Sequence, residues 1–435
     1  MLLSAGASAQ SFRSGYFLDN YVYGYRINPA QLNKKSFLAV GAGNIDLQNS
    51  CSIGIASVLF PTENGMVTGL NKAVSAEQFL GGLPNSVGIG LDENINLLSF
   101  GVRGKRTMHT FEVNLRVAAN AALPYNLFAF LKQGGDEPYD ISGINLSASV
   151  LSDISYGYAR QVNKKLRIGG RLHFLVGAAD VQAYSSNSSI TMAESSAEIK
   201  SELHLKTSGI ASIGIDSEGH IDPNSLALTG PYIGGYGAGL DLGMEWEPVS
   251  GLNIMAAVTE FGVMYRQNTT SLSANSTVTY KGGKISYKDG EVKTDDYQAV
   301  LDQLMEAIVF QEDAEATRID VLPFDARLGM RYKLPFFKAL SLGALGTYHF
   351  DGINPAWEVR GGMTLSSKYF ISLSGNAGIG SYGPVCGGGL NIHLGPLNLL
   401  AGADGFIGDL GLVEGIPFPL HGFQANLHAG LTLTF

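Results

Sequence analysis

Reading backwards from Phe435, apolar and polar residues trade places one for one. Leu433, Leu431, Ala429 and Leu427 share one side of an extended chain with the terminal ring, while Thr434, Thr432, Gly430, His428 and Asn426 share the other. A period of two specifies a strand with one greasy and one polar face. The pattern recurs upstream. Ala326, Leu328, Met330, Tyr332 and Leu334 alternate with Asp325, Arg327, Gly329, Arg331 and Lys333, and Trp357, Val359, Gly361, Met363 and Leu365 oppose Glu358, Arg360, Thr364 and Ser366. Phe111, Val113, Leu115 and Val117 face away from Glu112, Asn114 and Arg116; Leu166, Ile168, Leu172, Phe174 and Val176 face away from Arg167, Arg171 and His173. Leu240, Leu242, Met244 and Trp246 likewise oppose Asp241, Glu245 and Glu247. These tracts run roughly 9–13 residues, the length of a tilted membrane strand, against about 5–6 in soluble sheets.

Connections alternate as well. Short ones fall at 103–106, 162–165, 248–251, 335–339, 366–368 and 395–396; long ones cover 60–93, 119–142, 180–233 and 265–321, with smaller ones at 351–355, 378–384 and 405–421. Short turns at one rim and long loops at the other are the layout of an outer-membrane barrel. Counting strands back from a periplasmic C-terminus gives fourteen, the first near 51–59. The segment 37–46 would make a fifteenth. It either merges with 51–59 into one long strand or belongs to an N-terminal plug, and the lack of Gly or Pro in "LQNS" (47–50) favours merger. The expected fold class is an all-β, transmembrane antiparallel β-barrel of about 14 strands with an N-terminal plug and short loop helices.

Composition agrees. Gly supplies 56 of 435 residues and charged residues only 15%, which argues against a helix-rich enzyme. The stretch 369–403 has no Asp, Glu, Lys or Arg, but its nine glycines make it a poor membrane helix and a good set of strands. A net charge of −9 without a basic cluster excludes nucleic acid as a partner. "MLLSAGASAQ" ends in the small-residue form Ala7-Ser8-Ala9 expected before signal cleavage, although no positively charged region precedes it. The expected organisation is a signal-peptide remnant at 1–9, a plug at 10–36 and the barrel at 37–435. Helical spacing at 296–311, start and stop signals around "PYNLFAFLKQGG" (124–135) and the weaker "SAEQFLGGL" (75–83) place three helices in the long loops.

Polar positions on the inward faces collect Glu112, Arg116, Arg167, Arg171, His173, Asp241, Glu245, Asp325, Arg327, Arg331, Glu358 and Arg360. Interspersed signs favour a network that holds a filled lumen together; the other reading is an electrostatic constriction that selects solutes. "GIGSYG" (378–383) matches a dinucleotide fingerprint in letters only, because a strand and not a helix follows it. Cys51 and Cys386 fall on strands that are not neighbours and are expected as free thiols. The eight histidines show no metal-ligand spacing, and no nucleophile motif stands out, so no metal, cofactor or enzymatic activity is expected.

"SFRSGYFLDNYVYGYRINPA" (11–30), "LPYNLFAFLKQG", "ISYGYARQVNKKLRIGGRLHFLVGAADV" and the terminal Phe435 together resemble an uncharacterised Gram-negative outer-membrane family that carries only an unknown-function label. Asn28-Pro29-Ala30 ahead of the first strand is similar to FadL-type fatty-acid channels and, distantly, to PorV-like barrels of type IX secretion. The FadL resemblance implies a hatch in the lumen, with Asn28, Pro29 and Ala30 as candidate plug or gate, a lateral opening in the wall, and passage of small hydrophobic molecules. The other reading is a plugged, non-conducting barrel that serves as a docking or secretion-associated surface partner. Phe435 matches the aromatic signal read by the barrel assembly machinery. The expected surroundings are a bacterial outer membrane, its lipid and a small hydrophobic ligand, with the chain as a monomer.

Overall fold

The computed structural model describes residues 12–435 except 42, 64, 135–136, 194–195, 222–226, 229–232, 268, 282–286, 289–290, 293–307, 314–316, 352–354, 368–369, 382, 407–409, 414–415 and 421. Fourteen staves form a closed antiparallel ring. They are β1 (Phe37–Val40 with Asn44–Cys51), β2 (Ser86–Arg103), β3 (Thr107–Pro124), β4 (Asn145–Gln161), β5 (Leu166–Ala193), β6 (Gly235–Trp246) and β7 (Leu252–Gln267). They continue as β8 (Thr317–Val321 with Phe324–Lys333), β9 (Leu340–Phe350), β10 (Ala356–Ser366), β11 (Ile371–Gly380), β12 (Gly383–Leu394), β13 (Leu397–Phe406) and β14 (Phe423–Thr434). Each pairs with its sequence neighbour, and β14 pairs with β1, so no edge is left open around the ring.

Alternation builds the wall as anticipated. Along β14, Leu427, Leu431 and Leu433 are exposed on the outside while Asn426, His428, Thr432 and Thr434 are buried in the lumen. Exposed Leu, Val, Phe and Tyr side chains clothe the outer surface of the other staves in the same way. A buried lining of Asn, Ser, Thr and charged residues faces inward. No described helix is long and apolar enough to cross a membrane; the strands make the crossing surface.

Three boundaries differ from expectation. The first stave is 37–51, not 51–59: after Cys51 the chain leaves the wall, and Ile55–Ser57 form a 3-10 turn. The expected division at 47–50 falls inside this stave, because Asn49 places a polar side chain on the exposed face there and interrupts the alternation; Gly41, at φ 63°, and Gly43 make a separate break in mid-strand. The ladder survives the break, because Gly41 N–H donates to Leu97 O and Gly43 N–H to Asn96 O beside a register shift at Asn96/Leu98. Second, 180–233 is largely not loop. β5 runs 28 residues and returns as a strand at Ser196–Gly209, which pairs with a further strand at Thr269–Lys281. Both are rich in Ser and Thr, so the greasy face that betrays a lipid-facing strand is missing. Third, the connection expected at 378–384 is mostly strand: β11 runs to Gly380 and β12 begins at Gly383. The two cysteines are free.

Two short helices, α1 (Ala76–Leu80) and α2 (Tyr125–Gln133), stand at the long-loop end. Ser75 and Gln78 form a capping box on α1, and Gly134, at φ 58°, ends α2. Phe79, Leu80 and Ala129 share one apolar cluster, and Lys132 donates to the carbonyls of Gly69 and Asn71 at 2.7 and 2.8 Å, pinning α2 to the neighbouring loop. The helix expected at 296–311 lies mostly outside the described residues; Ile308–Phe310 are irregular and Gln311–Asp313 are a strand.

Candidate functional site

The segment 12–35 lies inside the barrel. It folds as two 3-10 turns, Arg13–Tyr16 and Gly24–Arg26, with a left-handed Asn20 (φ 60°) between them. Phe12, Phe17, Leu18, Tyr21, Val22, Tyr23, Tyr25 and Ile27 are all buried in one cluster with Phe37 and Met108. Phe12 stacks on His428 with ring centroids 4.5 Å apart, and Tyr25 stacks on Phe37. An aromatic-rich segment of this kind cannot sit on a polar lining without docking places, and lumen-facing glycines supply them. A side-chain carbon at Gly389 or Gly402 would collide with the Phe12 ring, and one at Gly343 or Gly362 would press on Phe17.

Above these rings lies a belt of charge. Arg26 donates to Glu112 at 2.8 Å and Asn114 at 3.0 Å and pairs with Asp46 at 3.3 Å. Arg171 joins Glu112 (2.5 Å) to Asp241 (3.2 Å), His173 bridges Asp153 and Asp241, and Arg116 joins Asp153 (2.5 Å) to Glu260 (3.2 Å). Burial and the adjacent Glu112 carboxylate push the Tyr25 phenol well above its usual range, so it stays a donor to Glu112 at 2.8 Å. Asp325 holds Arg327 and His349, while Glu358 and Asp404 hold Arg360, with Arg13 of the plug also on Glu358. Every buried charge here has an opposite neighbour, as burial demands. Arg167 with Glu245 (3.0 Å), and Arg331 with Asp19 (2.5 Å), stand apart, half-buried toward the short-turn end.

Towards the long loops the lumen is closed again. Leu151, Leu175, Met264 and Leu322 form an apolar layer, and beyond it Arg266 and Arg318 pair with Asp180 and Asp320. The void within the belt is only about 10 Å³. This is too small for an open pore.

The sequence reading therefore named the wall half of the belt and missed the plug half, Arg13, Asp19 and Arg26. It also missed Asp46, hidden in the misread first stave, and the wall residues Asp153 and Asp404, which occupy inward positions of β4 and β13. The strict alternation of β4 was a signal that could have found Asp153.

Asn28-Pro29-Ala30 sits against the wall at one place. Gly169 of β5 and Gly243 of β6 are paired directly across the ladder. A side chain on the first would fall on the Pro29 carbonyl, and on the second it would fall on Asn28 and Pro29. The Asn28 amide donates to Met244 O at 3.1 Å, and its side-chain oxygen accepts from Ala30 N–H at 3.0 Å. Next to this contact the wall is irregular: the β6–β7 register shifts between Leu240 and Leu242, and Glu260 takes a left-handed φ of 67° with its N–H on Asp241.

Two large cavities lie on opposite sides of the wall near this contact. On the outer surface, staves β4 to β10 line an open concavity of about 1140 Å³, floored by Gly170, Gly243, Ala256 and Ala326 and flanked by Tyr348 and Trp357. Its lining is almost wholly apolar. At the short-turn end a vestibule of about 850 Å³ is lined by Ile27, Asn28, Gln31, Met255 and several cations. Asn28 belongs to the vestibule wall, and Gly243, which its side chain touches, belongs to the outer concavity.

Among solved structures, the Ralstonia pickettii toluene transporter TbuX shares 9% identity over 96% of this chain and 94% of that one, with a TM-score of 0.46. The P. putida toluene transporter TodX shares 9% over 96% and 94%, at 0.45. A Pseudomonas aeruginosa FadL homologue shares 11% over 100% and 99%, at 0.44. No curated protein matches the chain. A family model described as "Family of unknown function (DUF5723)" matches residues 29–404, and the chain belongs to that family.

Proposed function

We propose that this protein is a bacterial outer-membrane barrel that passes small hydrophobic molecules, with Asn28-Pro29-Ala30 as the gate. One observation carries the reading: Asn28 and Pro29 rest on Gly169 and Gly243, a side-chain-free pair of the β5–β6 ladder with an apolar lipid-side concavity on its outer face and the vestibule lined by Asn28 on its inner side. With the short turns in the periplasm, a molecule dissolved in the outer leaflet or bilayer would collect in the concavity. Retraction of 28–30 and local opening of the glycine pair would then admit it to the vestibule. A molecule already in the bilayer gains no hydrophobic transfer energy there, because lipid tails are as apolar as the lining, so the concavity admits cargo by lateral diffusion and shape and not by a specific polar contact. The closed layers above the belt make this lateral route better supported than one descending from the outer loops. Membrane lipid, the barrel assembly machinery and a monomeric state complete the reading.

A second reading is a non-conducting barrel that docks secreted or surface proteins. The observation in its favour is the filled lumen, in which plug and wall share a fully paired ionic belt.

Uptake of a long-chain fatty acid or another hydrophobic tracer into liposomes separates the two. Barrel-containing vesicles should fill faster than empty ones, and a variant lacking residues 11–30 should fill faster still. Identical rates in all three preparations would leave the docking reading standing.

A further inference from the structure

The vestibule has a property that passage of neutral molecules does not use. Its cations outnumber its carboxylates. Asp19 is bonded to Arg331 and Glu245 to Arg167, which leaves Lys34, Lys35 and Lys333 lining the cavity with no carboxylate bonded to them among the described residues. All three lysines are exposed. Around them the short turns carry Lys105, Arg106, Lys164, Lys165 and Lys338, also exposed, with Glu247 as the acidic residue of those turns. This concentration of positive charge at one rim occurs in a chain whose net charge is −9.

The rest of the vestibule lining is not that of a simple ion site. Leu18, Val22, Leu32 and Met255 give it apolar ground, and Asn20 and Asn253 place amides among them, while the Gln31 and Asn33 amide nitrogens already donate to Tyr21 O and Val22 O. The Asn253 side-chain oxygen is buried without a hydrogen-bond partner. Amides suit the alternating donors and acceptors of a peptide backbone, and lysines suit acidic side chains. The cavity volume of about 850 Å³ holds a few residues and not a domain. The surrounding turn cations form a long-range field that raises the encounter rate of an anionic macromolecule.

We propose that the vestibule is a docking site for a short acidic peptide segment of a soluble partner, held by Lys34, Lys35 and Lys333. The site goes beyond the passage reading and does not require the wall to open. Only its being reached from the periplasm rests on the orientation given above, and binding to purified barrel is independent of that orientation.

The test uses the full chain in neutral detergent and a fluorescein-labelled hexaglutamate peptide, read by anisotropy, with hexaglutamine and hexalysine as controls. Hexaglutamate should bind and the controls should not. The triple variant Lys34→Gln/Lys35→Gln/Lys333→Gln should weaken binding at least tenfold. Removing equal charge from the turns, Lys105→Gln/Lys164→Gln/Lys338→Gln, should lower the association rate and change the equilibrium constant less than threefold. Equal losses in the two triple variants would mean a diffuse field and overturn the site. So would binding of vesicles containing anionic phospholipid, or of dodecyl phosphate, with no binding of hexaglutamate, since the anion recognised would then be a lipid head group. Loss of the peptide on adding millimolar inorganic phosphate at constant ionic strength would reduce the site to a small-anion site and likewise overturn the proposal. Heat-modifiability of each variant in electrophoresis confirms that the barrel remains closed.

Discussion

Gly169 and Gly243 show how much a missing side chain can determine. Composition marked glycine as abundant, and the sequence reading used that abundance only to argue against helices. In the folded barrel, glycines on inward positions are the sockets of the plug: Gly389 and Gly402 for Phe12, Gly343 and Gly362 for Phe17, and Gly169 and Gly243 for Asn28-Pro29. No periodicity reveals this, because a socket is defined by what approaches it from a distant part of the sequence, as Pro29 approaches Gly169 and Phe12 approaches Gly402. Asn28-Pro29-Ala30 was legible as a motif, but its partner on the wall was not. Gly243→Val is therefore expected to expel Asn28 and Pro29 from the wall while leaving the ladder intact, since valine favours a strand. Limited proteolysis should cut within residues 20–35 at least several-fold faster than in the parent, with an unchanged heat-modifiable barrel. The same variant should raise tracer flux if segment 28–30 is the gate. Unchanged protection of 20–35 would show that the glycine contact does not hold the plug.

At the scale of elements, the plug is held by a few charged contacts that can be removed singly. Arg26 is enclosed by Glu112, Asp46 and Asn114. Arg26→Met keeps the bulk and deletes the charge, so it leaves buried carboxylates partly uncompensated; breaking such a pair costs about 3–5 kcal/mol. Hydrogen exchange across residues 21–28 should accelerate strongly, and Arg26→Met/Glu112→Gln should recover part of the protection. Lack of any recovery would place the loss in packing and not in charge. Asp19 offers a gentler lever. Burial raises its carboxyl pKa, but Arg331 and then the Ser366 hydroxyl outweigh that and hold it below its usual value. A depressed carboxyl stabilises the docked state above the ordinary carboxylate range, and the contribution disappears as pH falls through the depressed value. Exchange near residues 16–20, corrected for intrinsic rates, should thus rise below about pH 4. Asp19→Asn should already exchange faster at neutral pH and lack that pH-dependent increment. The wall charges of these contacts were legible from alternation; their plug partners were not, because 3-10 turns have no period that assigns a face.

The whole molecule was the most legible level. Alternation, tract length and the short–long rhythm of connections each constrain topology, and together they specify a closed ring of fourteen before any contact is known. The errors at this scale came from strands whose outer face turns polar, such as the tall extension of β5 and β1 at Asn49. Ring closure depends on β14, which joins β13 to β1 along its length. At its foot Phe435 exchanges backbone hydrogen bonds with Ser36, at 3.0 and 3.1 Å, while its ring is 74% exposed on the outer side. The residue therefore contributes little to the packing of the finished barrel, and its expected part in assembly can be tested separately from packing. Phe435→Asp separates the two. Refolding of the purified chain into detergent micelles should proceed to a heat-modifiable barrel with nearly the parent's stability, because no buried contact is lost. Assembly in cells should fall several-fold, read as the fraction of heat-modifiable protein in outer-membrane fractions. If refolding in micelles fails as badly as assembly in cells, then Phe435 is a structural residue of the closing seam and not a signal read by the assembly machinery.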